Sequence, residues 1–138
     1  MKYLLDTNLI SELIKPQPDP GVEEGCSRYQ GELVTAAPVW HELQFGCYRM
    51  PPSRKKEVLE MFLEEIIQRN IPILPYDSQA ARWHSLERAR LTAAGLTPSY
   101  VDGQIAAIAV IQGLILVTRN KSDFQIFSGL KSVSWHSR

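Results

Sequence analysis

The 138-residue sequence has little cysteine, little histidine and no excess of charge of either sign. Its two cysteines, Cys26 and Cys47, form no CxxC motif and have no histidines at zinc-ligand spacing, which argues against a zinc site. Two reduced thiols are expected instead, and they favour a cytoplasmic protein. Fifteen Lys and Arg balance fifteen Asp and Glu, so the chain lacks an overall positive field that would attract nucleic acid. Contact with nucleic acid would then require a local patch or a metal site.

Long apolar runs are also absent. The N-terminus becomes polar at Asp6, and the most apolar run, residues 105–117, contains Gln112 and Gly113. We therefore expect neither a signal peptide nor a membrane span. The length and the content of 44% hydrophobic and 22% charged residues suit one globular domain, predicted to span residues 1–138.

Short apolar runs alternate with helical patterns along the chain. Strands are expected at residues 3–5, 32–36, 71–74 and 114–118, with a last one that includes Val133 and Trp135. Helices are expected at 9–14, 21–29, 38–49, 53–69, 78–94 and 99–112. Thr7 or Asn8 would cap the first helix. This alternation predicts an α/β fold, a three-layer α/β/α sandwich with a central, mainly parallel sheet.

The 53–69 helix and the 38–49 helix each carry large apolar side chains. The 53–69 helix is expected to place six of them on or near one side: Val58, Met61, Phe62, Leu63, Ile66 and Ile67. On the 38–49 helix, Trp40, Phe45 and Tyr48 have helical spacing, which is more typical of a core or an interface than of base stacking.

Four carboxylates fall where the predicted elements would bring them together. Asp6 ends the first strand and Asp123 follows the 114–118 strand, so both are expected at the carboxyl edge of the sheet, where ligands bind. Glu42 is one turn into its helix, and Asp102 lies near a helix start beside an apolar stripe. Like charges at close range repel, so such a cluster normally requires a metal. Carboxylate oxygens with water suit Mg²⁺ or Mn²⁺.

Polar residues adjoin these acids in the sequence. A metal-bound water or a substrate oxygen could be held by Asn8, Thr118 and Asn120, and Arg119 could contact phosphates. Each feature also has an ordinary structural interpretation. Asp6 or Asn8 could cap a helix, Asp102 could interact with a helix dipole, and Arg119 could be surface charge.

Four blocks of the sequence resemble PIN-domain proteins, and are most similar to the VapC and FitB-like toxins of bacterial toxin–antitoxin pairs. The blocks are residues 4–12, with the letters LLDTN and SE, then residues 39–46, 102–107 and 116–124. The resemblance covers essentially the whole chain. It implies a small α/β/α sandwich and a Mg²⁺- or Mn²⁺-dependent endoribonuclease whose acidic quartet is Asp6, Glu42, Asp102 and Asp123. Some members have Asp where this chain has Asn120, so either Asp123 or Asn120 completes the site.

The resemblance also implies partners. Such toxins bind a cognate antitoxin protein whose tail blocks the acidic site, usually form homodimers, and contact DNA only indirectly through the antitoxin. RNA is the implied substrate. Two other hypotheses remain open. One is a non-catalytic PIN-like scaffold that only binds a partner. The other is phosphoryl transfer with Asp6 as nucleophile, which usually needs a second acid two residues on, where this chain has Asn8.

Overall fold

The apolar runs of the sequence form the five strands of one parallel sheet. In a computed structural model that describes residues 1–137, the strands are β1 (Tyr3–Leu5), β2 (Leu33–Ala36), β3 (Ile73–Leu74), β4 (Ile115–Val117) and β5 (Lys131–Val133). Their order across the sheet is β3-β2-β1-β4-β5, and every neighbouring pair is parallel. The predicted α/β class with a parallel sheet is therefore confirmed.

Helices connect the strands. They are α1 (Thr7–Ile14), α2 (Pro20–Arg28), α3 (Ala37–Tyr48), α4 (Arg54–Met61), α5 (Ser78–Ala93), α6 (Tyr100–Gln112) and α7 (Lys121–Phe124). The chain steps outward from β1 to β2 and β3, then returns to place β4 on the other side of β1. Right-handed crossovers in these two directions put helices on both faces of the sheet. Among residues 1–137, no helix has both the length and the apolar character needed to cross a membrane.

The hydrophobic core lies between the three inner strands, β2, β1 and β4, and the helices. Leu4, Leu5 and Leu116 are fully buried, because β1 and β4 are each flanked by strands on both sides. Helix α6 contributes a nearly continuous buried run over residues 105–109. A central parallel strand covered on both faces is expected to be apolar throughout, as β1 is.

The structure corrects two details of the helices. Asp6 is the N-cap of α1, and its side chain accepts a hydrogen bond from the Thr7 N–H, so the prediction that Thr7 or Asn8 caps this helix was wrong. The 53–69 helix changes at Phe62 into a π-helical segment, Phe62–Gln68. Of the six apolar side chains expected on its inner side, only Leu63 and Ile67 are buried, whereas three are largely exposed: Val58, Met61 and Ile66.

Candidate functional site

The site lies at the switch point of the sheet, where the chain reverses its direction of strand addition. The carboxyl ends of β1 and β4 are adjacent there, and ligands of open parallel sheets bind in the resulting crevice. Asp6 follows β1 and Thr118 follows β4, so the two residues meet across the crevice. The backbone N–H of Asp6 donates to the Val117 carbonyl at 3.0 Å, which extends the strand pairing to the acid itself.

Hydrogen bonds hold both oxygens of the buried Asp6 carboxylate. The Thr118 hydroxyl donates to Oδ2 at 2.7 Å, and the Thr7 N–H donates to Oδ1 at 2.8 Å. The Asn8 amide lies 3.4 Å from Oδ2. Thr118 Oγ1 in turn accepts the Asn120 N–H at 3.0 Å. The polar residues that the sequence suggested for water or substrate therefore orient Asp6 and the loop after β4.

Asn8 has a second contact that fixes the opposite wall of the crevice. Its Oδ1 accepts the backbone N–H of Arg119 at 3.1 Å. The Arg119 side chain is exposed and lines the same cleft. The amide side chain of Asn8 thus connects the start of α1 to the loop that carries Arg119.

Glu42 reaches the site from α3 and is held by Thr7. The Thr7 hydroxyl donates to Glu42 Oε2 at 2.8 Å, while the Thr7 N–H donates to Asp6 Oδ1. One residue therefore sets the separation of two carboxylates that are 36 positions apart in the chain. Glu42 is itself exposed and lines the cleft.

Asp102 enters from the first turn of α6, whose N-cap Ser99 accepts the Asp102 N–H at 3.3 Å. Partial burial raises the pKa of Asp102 to about 6, and the negative charges of Asp6, Asp123 and Glu42 add to the shift. Burial also raises the pKa of Asp6; the hydrogen bonds described above act in the opposite direction, and Glu42 raises it further. Asp6, Asp123 and Glu42 thus lie close enough to Asp102 to raise its pKa.

The four acids do not contribute equally to the cleft. Three of them, Asp6, Glu42 and Asp102, line a depression of about 420 Å³. Asn8, Arg119 and Asn120 line the same depression. Asp123 lies on α7, is exposed, and is not part of this lining. Over residues 1–137, no three His, Cys, Asp or Glu side chains are arranged to hold a metal ion. The fit to a hard cation therefore rests on the oxygen donor set and on two carboxylates with raised pKa values.

One further residue of the cleft, Glu12, has a role that sequence reasoning did not assign. Glu12 is buried in the cleft wall, where it accepts the Lys15 ammonium at 2.9 Å and the Asp19 N–H at 3.1 Å. Because both oxygens are engaged by these donors, Glu12 fixes the turn between α1 and α2. Two signals were available in the sequence. Glu12 stands in the first block that resembles PIN-domain proteins, and it lies one helical turn after Asn8, on the same face of α1.

A family model for the PIN domain matches residues 3–129 of the chain. The chain belongs to the PIN-domain family. It is 32% identical over 136 residues to a tRNA(fMet)-specific endonuclease VapC of Shigella flexneri, covering 98% of both chains. It is 34% identical over 125 residues to the VapC ribonuclease Y4jK of Sinorhizobium fredii (strain NBRC 101917 / NGR234), covering 88% of this chain and 89% of the relative.

Solved structures agree with these relatives. A structure of FitAB bound to an IR36 DNA fragment superposes with a TM-score of 0.88 at 28% identity, covering 99% of this chain and 97% of the other. The predicted resemblance to VapC and FitB-like PIN-domain toxins is confirmed. PIN-domain ribonucleases depend in general on a divalent metal ion, which agrees with the oxygen donors of this cleft.

The raised pKa of Asp102 gives a stability prediction for the metal-free protein. Its folded pKa of about 6 exceeds the unfolded value of roughly 3.9, so its ionisation destabilises the fold progressively as pH rises through this window and fully above it. Asp102→Asn should therefore raise the free energy of unfolding by about 1 kcal/mol at pH 7.5 in EDTA, after discounting for solvent screening. Chemical denaturation of both proteins measures this.

The difference should shrink at pH 4.5, where the folded protein keeps Asp102 protonated. Glu87→Gln is the opposite control, because hydrogen bonds from Arg90 and from the Ser128 N–H hold the pKa of Glu87 below its usual value. That variant should lose stability at pH 7.5. Equal stability of wild type and Asp102→Asn at pH 7.5 would contradict the charge repulsion inferred for the cleft.

Proposed function

We propose that this chain is the toxin of a type II toxin–antitoxin pair and acts as a Mg²⁺- or Mn²⁺-dependent endoribonuclease. The observation that carries the proposal is the convergence of Asp6, Glu42 and Asp102 in one cleft of a PIN-domain chain. Burial raises the pKa values of both aspartates, and the charges of neighbouring carboxylates raise them further. We place the protein in the cytoplasm, as one domain over residues 1–138; both of its cysteines are free thiols.

The metal would be held by Asp6 and Asp102, with Glu42 and either Asp123 or Asn120 completing the site directly or through water. A bound divalent ion would supply an activated water and would neutralise charge on the phosphate. Glu42 is exposed and lines the cleft, and Thr7 holds its Oε2, so Oε1 would be the oxygen that accepts a proton there.

The other polar residues have separate tasks in this proposal. Thr118 and Asn8 keep the Asp6 carboxylate oriented before any ligand arrives, which lowers the reorganisation needed for the reaction. The exposed guanidinium of Arg119 lines the same cleft and would bind a substrate phosphate. Asn120 positions Thr118 through its backbone N–H, and it also lines the cleft.

The geometry disfavours phosphoryl transfer through Asp6. Asn8 donates to Asp6 at the position where that chemistry would need an acid. A scaffold without activity would not need a carboxylate such as Asp102, whose pKa is raised by burial and by its acidic neighbours.

An apolar groove favours an antitoxin as the partner protein. About 510 Å³ in volume, it lies between the end of α1 and α4 and shares Ser11 and Lys15 with the acidic cleft. Its apolar lining is Ile14, Pro16, Val58 and Leu59. An apolar antitoxin segment in this groove would bring a following basic residue into the acidic cleft and block it. We propose that contact with DNA is indirect, through that antitoxin, and that the toxin is a homodimer.

The proposal is tested by incubating the purified chain, freed of any partner, with total bacterial RNA and Mg²⁺ or Mn²⁺. Discrete cuts that disappear with EDTA and with Asp6→Asn are the expected result. Cuts that persist in Asp6→Asn would identify a contaminating ribonuclease. A wild-type preparation that binds no Mn²⁺ and cuts no RNA would contradict the proposed activity.

Thr7 should act as a positioning residue for Glu42. Thr7→Val keeps the shape and the N–H donor to Asp6 but removes the hydroxyl bonded to Glu42. We expect Mn²⁺ affinity, measured by titration calorimetry, to fall by about tenfold, the range found when outer-shell hydrogen bonds are lost. Thr7→Ser should restore the affinity. Identical affinities for Thr7→Val and wild type would show that this hydrogen bond does not orient Glu42 for metal.

A further inference from the structure

A second groove opens directly from the acidic cleft. It has a volume of about 500 Å³, runs between α3 and α6, and shares Thr7 and Glu42 with the cleft. The remaining lining is mainly apolar, with polar or charged groups from His41, Arg49 and Gln104. A ligand in the acidic cleft could extend into this groove past Thr7 and Glu42, which border both depressions.

Phe45 is the most unusual side chain of this groove. It is 59% exposed although it is large and apolar. Its ring centroid lies 5.6 Å from the Arg49 guanidinium and 6.4 Å from the His41 ring centroid. Within residues 1–137, Arg49 has no ion pair with an acidic side chain. The groove therefore combines an open aromatic ring with a cation that no described acid neutralises.

We propose that this groove binds an RNA nucleotide next to the scissile phosphate, with its base stacked on Phe45 and its phosphate on Arg49. The proposal rests on the ribonuclease function proposed above and extends it to substrate recognition. Single-stranded RNA is recognised largely by bases stacked on aromatic rings and Arg guanidinium planes, with hydrogen bonds to base edges. The Gln104 amide at the groove wall has both a donor and an acceptor for such an edge.

Charge and continuity favour a nucleotide over a second copy of the chain. The groove joins the carboxylates at Glu42, so a polynucleotide that places a phosphate beside those acids necessarily extends past their edge. The unpaired Arg49 supplies the one charge that a neighbouring phosphate needs. Tyr48, the other exposed aromatic of α3, lies outside this groove and so provides a matched control.

The test measures binding of a short fluorescent single-stranded oligoribonucleotide to variants in an inactive Asp6→Asn background, and KM for cleavage in the active background. Phe45→Ala should weaken binding by about tenfold, within the range for loss of one stacked base, and should raise KM more than it lowers kcat. Phe45→Trp should retain binding, and Tyr48→Ala should match the parent. Arg49→Gln should weaken binding and lower its dependence on salt by about one phosphate contact.

Sedimentation of the same variants separates the alternatives. Equal oligonucleotide affinity and KM for Phe45→Ala and Tyr48→Ala would overturn the inference while leaving RNA cleavage, and thus the proposed function, intact. Dissociation of a dimer by Phe45→Ala with unchanged RNA affinity would assign the groove to contacts between copies and would also overturn it. If Phe45→Ala changes both dimerisation and RNA affinity, the salt dependence of RNA binding by Arg49→Gln decides between the alternatives. A weaker salt dependence than that of the parent supports the inference, and an unchanged one overturns it. Failure of wild type to cut any RNA would instead count against the proposed function.

Discussion

Asp6→Asn and Asp102→Asn should each lower RNA cleavage by at least about 100-fold. Loss of an outer-shell partner of a metal ligand typically costs 10–100-fold, so loss of a ligand itself should cost as much or more. Asp6 is the better ordered of the two, since hydrogen bonds hold both of its oxygens, and Asp102 supplies the carboxylate on the facing helix. Initial rates on a defined RNA, measured at saturating Mn²⁺, give the result.

Asp77→Asn is the matched control for this pair. Asp77 caps α5 through its side chain and lies outside the cleft, and Asn is an equally good N-cap, so activity should not change. Asp123→Asn should have a smaller effect than Asp102→Asn, because Asp123 is exposed and does not line the cleft. An Asp102→Asn variant that retains wild-type rates would remove Asp102 from the proposed metal site.

Gly103→Ala should destabilise the protein by about 1–3 kcal/mol, the usual cost of overpacking a core. Gly103 is buried in α6 next to Asp102, and a Cβ there would overlap the His84 ring at Nε2. His84 is buried on α5 and its Nδ1 lies 2.9 Å from the Tyr76 hydroxyl, so the ring has a fixed position and cannot easily withdraw. Chemical denaturation provides the free energy of unfolding.

Gly46→Ala is the control, because it tests the same substitution in a helix with open space. A Cβ on Gly46 in α3 would meet nothing within 4 Å, so the higher helix propensity of Ala should stabilise the protein by about 0.5–1 kcal/mol. The free energy of unfolding is therefore expected to fall for Gly103→Ala and to rise for Gly46→Ala. Equal stabilisation by both would show that α6 does not pack against His84 as described, and the position of Asp102 would be in doubt with it.

The sequence was sufficient to predict the placement of Asp6 and the parallel sheet. An apolar run followed at once by an acid identifies a buried strand and its carboxyl end, and parallel strands bring such ends to one edge. The need of Asp102 for a cation or other partners was predictable, because an acid beside the apolar stripe of a helix is costly to bury alone. These inferences depend only on local periodicity and on the geometry of parallel sheets.

The sequence was not sufficient to predict the contacts between distant residues. The bond from Thr7 to Glu42 depends on how α1 and α3 pack, which no local pattern encodes. Asp123 follows β4 as predicted, yet the short helix α7 places it outside the cleft lining. Val58 on α4 was expected on the apolar side of its helix, because the spacing of apolar residues in this helix resembles that of a buried helix face, but it is exposed.

The central claim is that the carboxylates at the switch point of the sheet together bind a catalytic divalent cation. Its most direct test is anomalous diffraction from crystals of the chain soaked in Mn²⁺. We predict a manganese peak within coordination distance of Asp6 and Asp102, and no such peak in crystals of Asp6→Asn. A cleft that stays empty while manganese binds elsewhere would contradict the account.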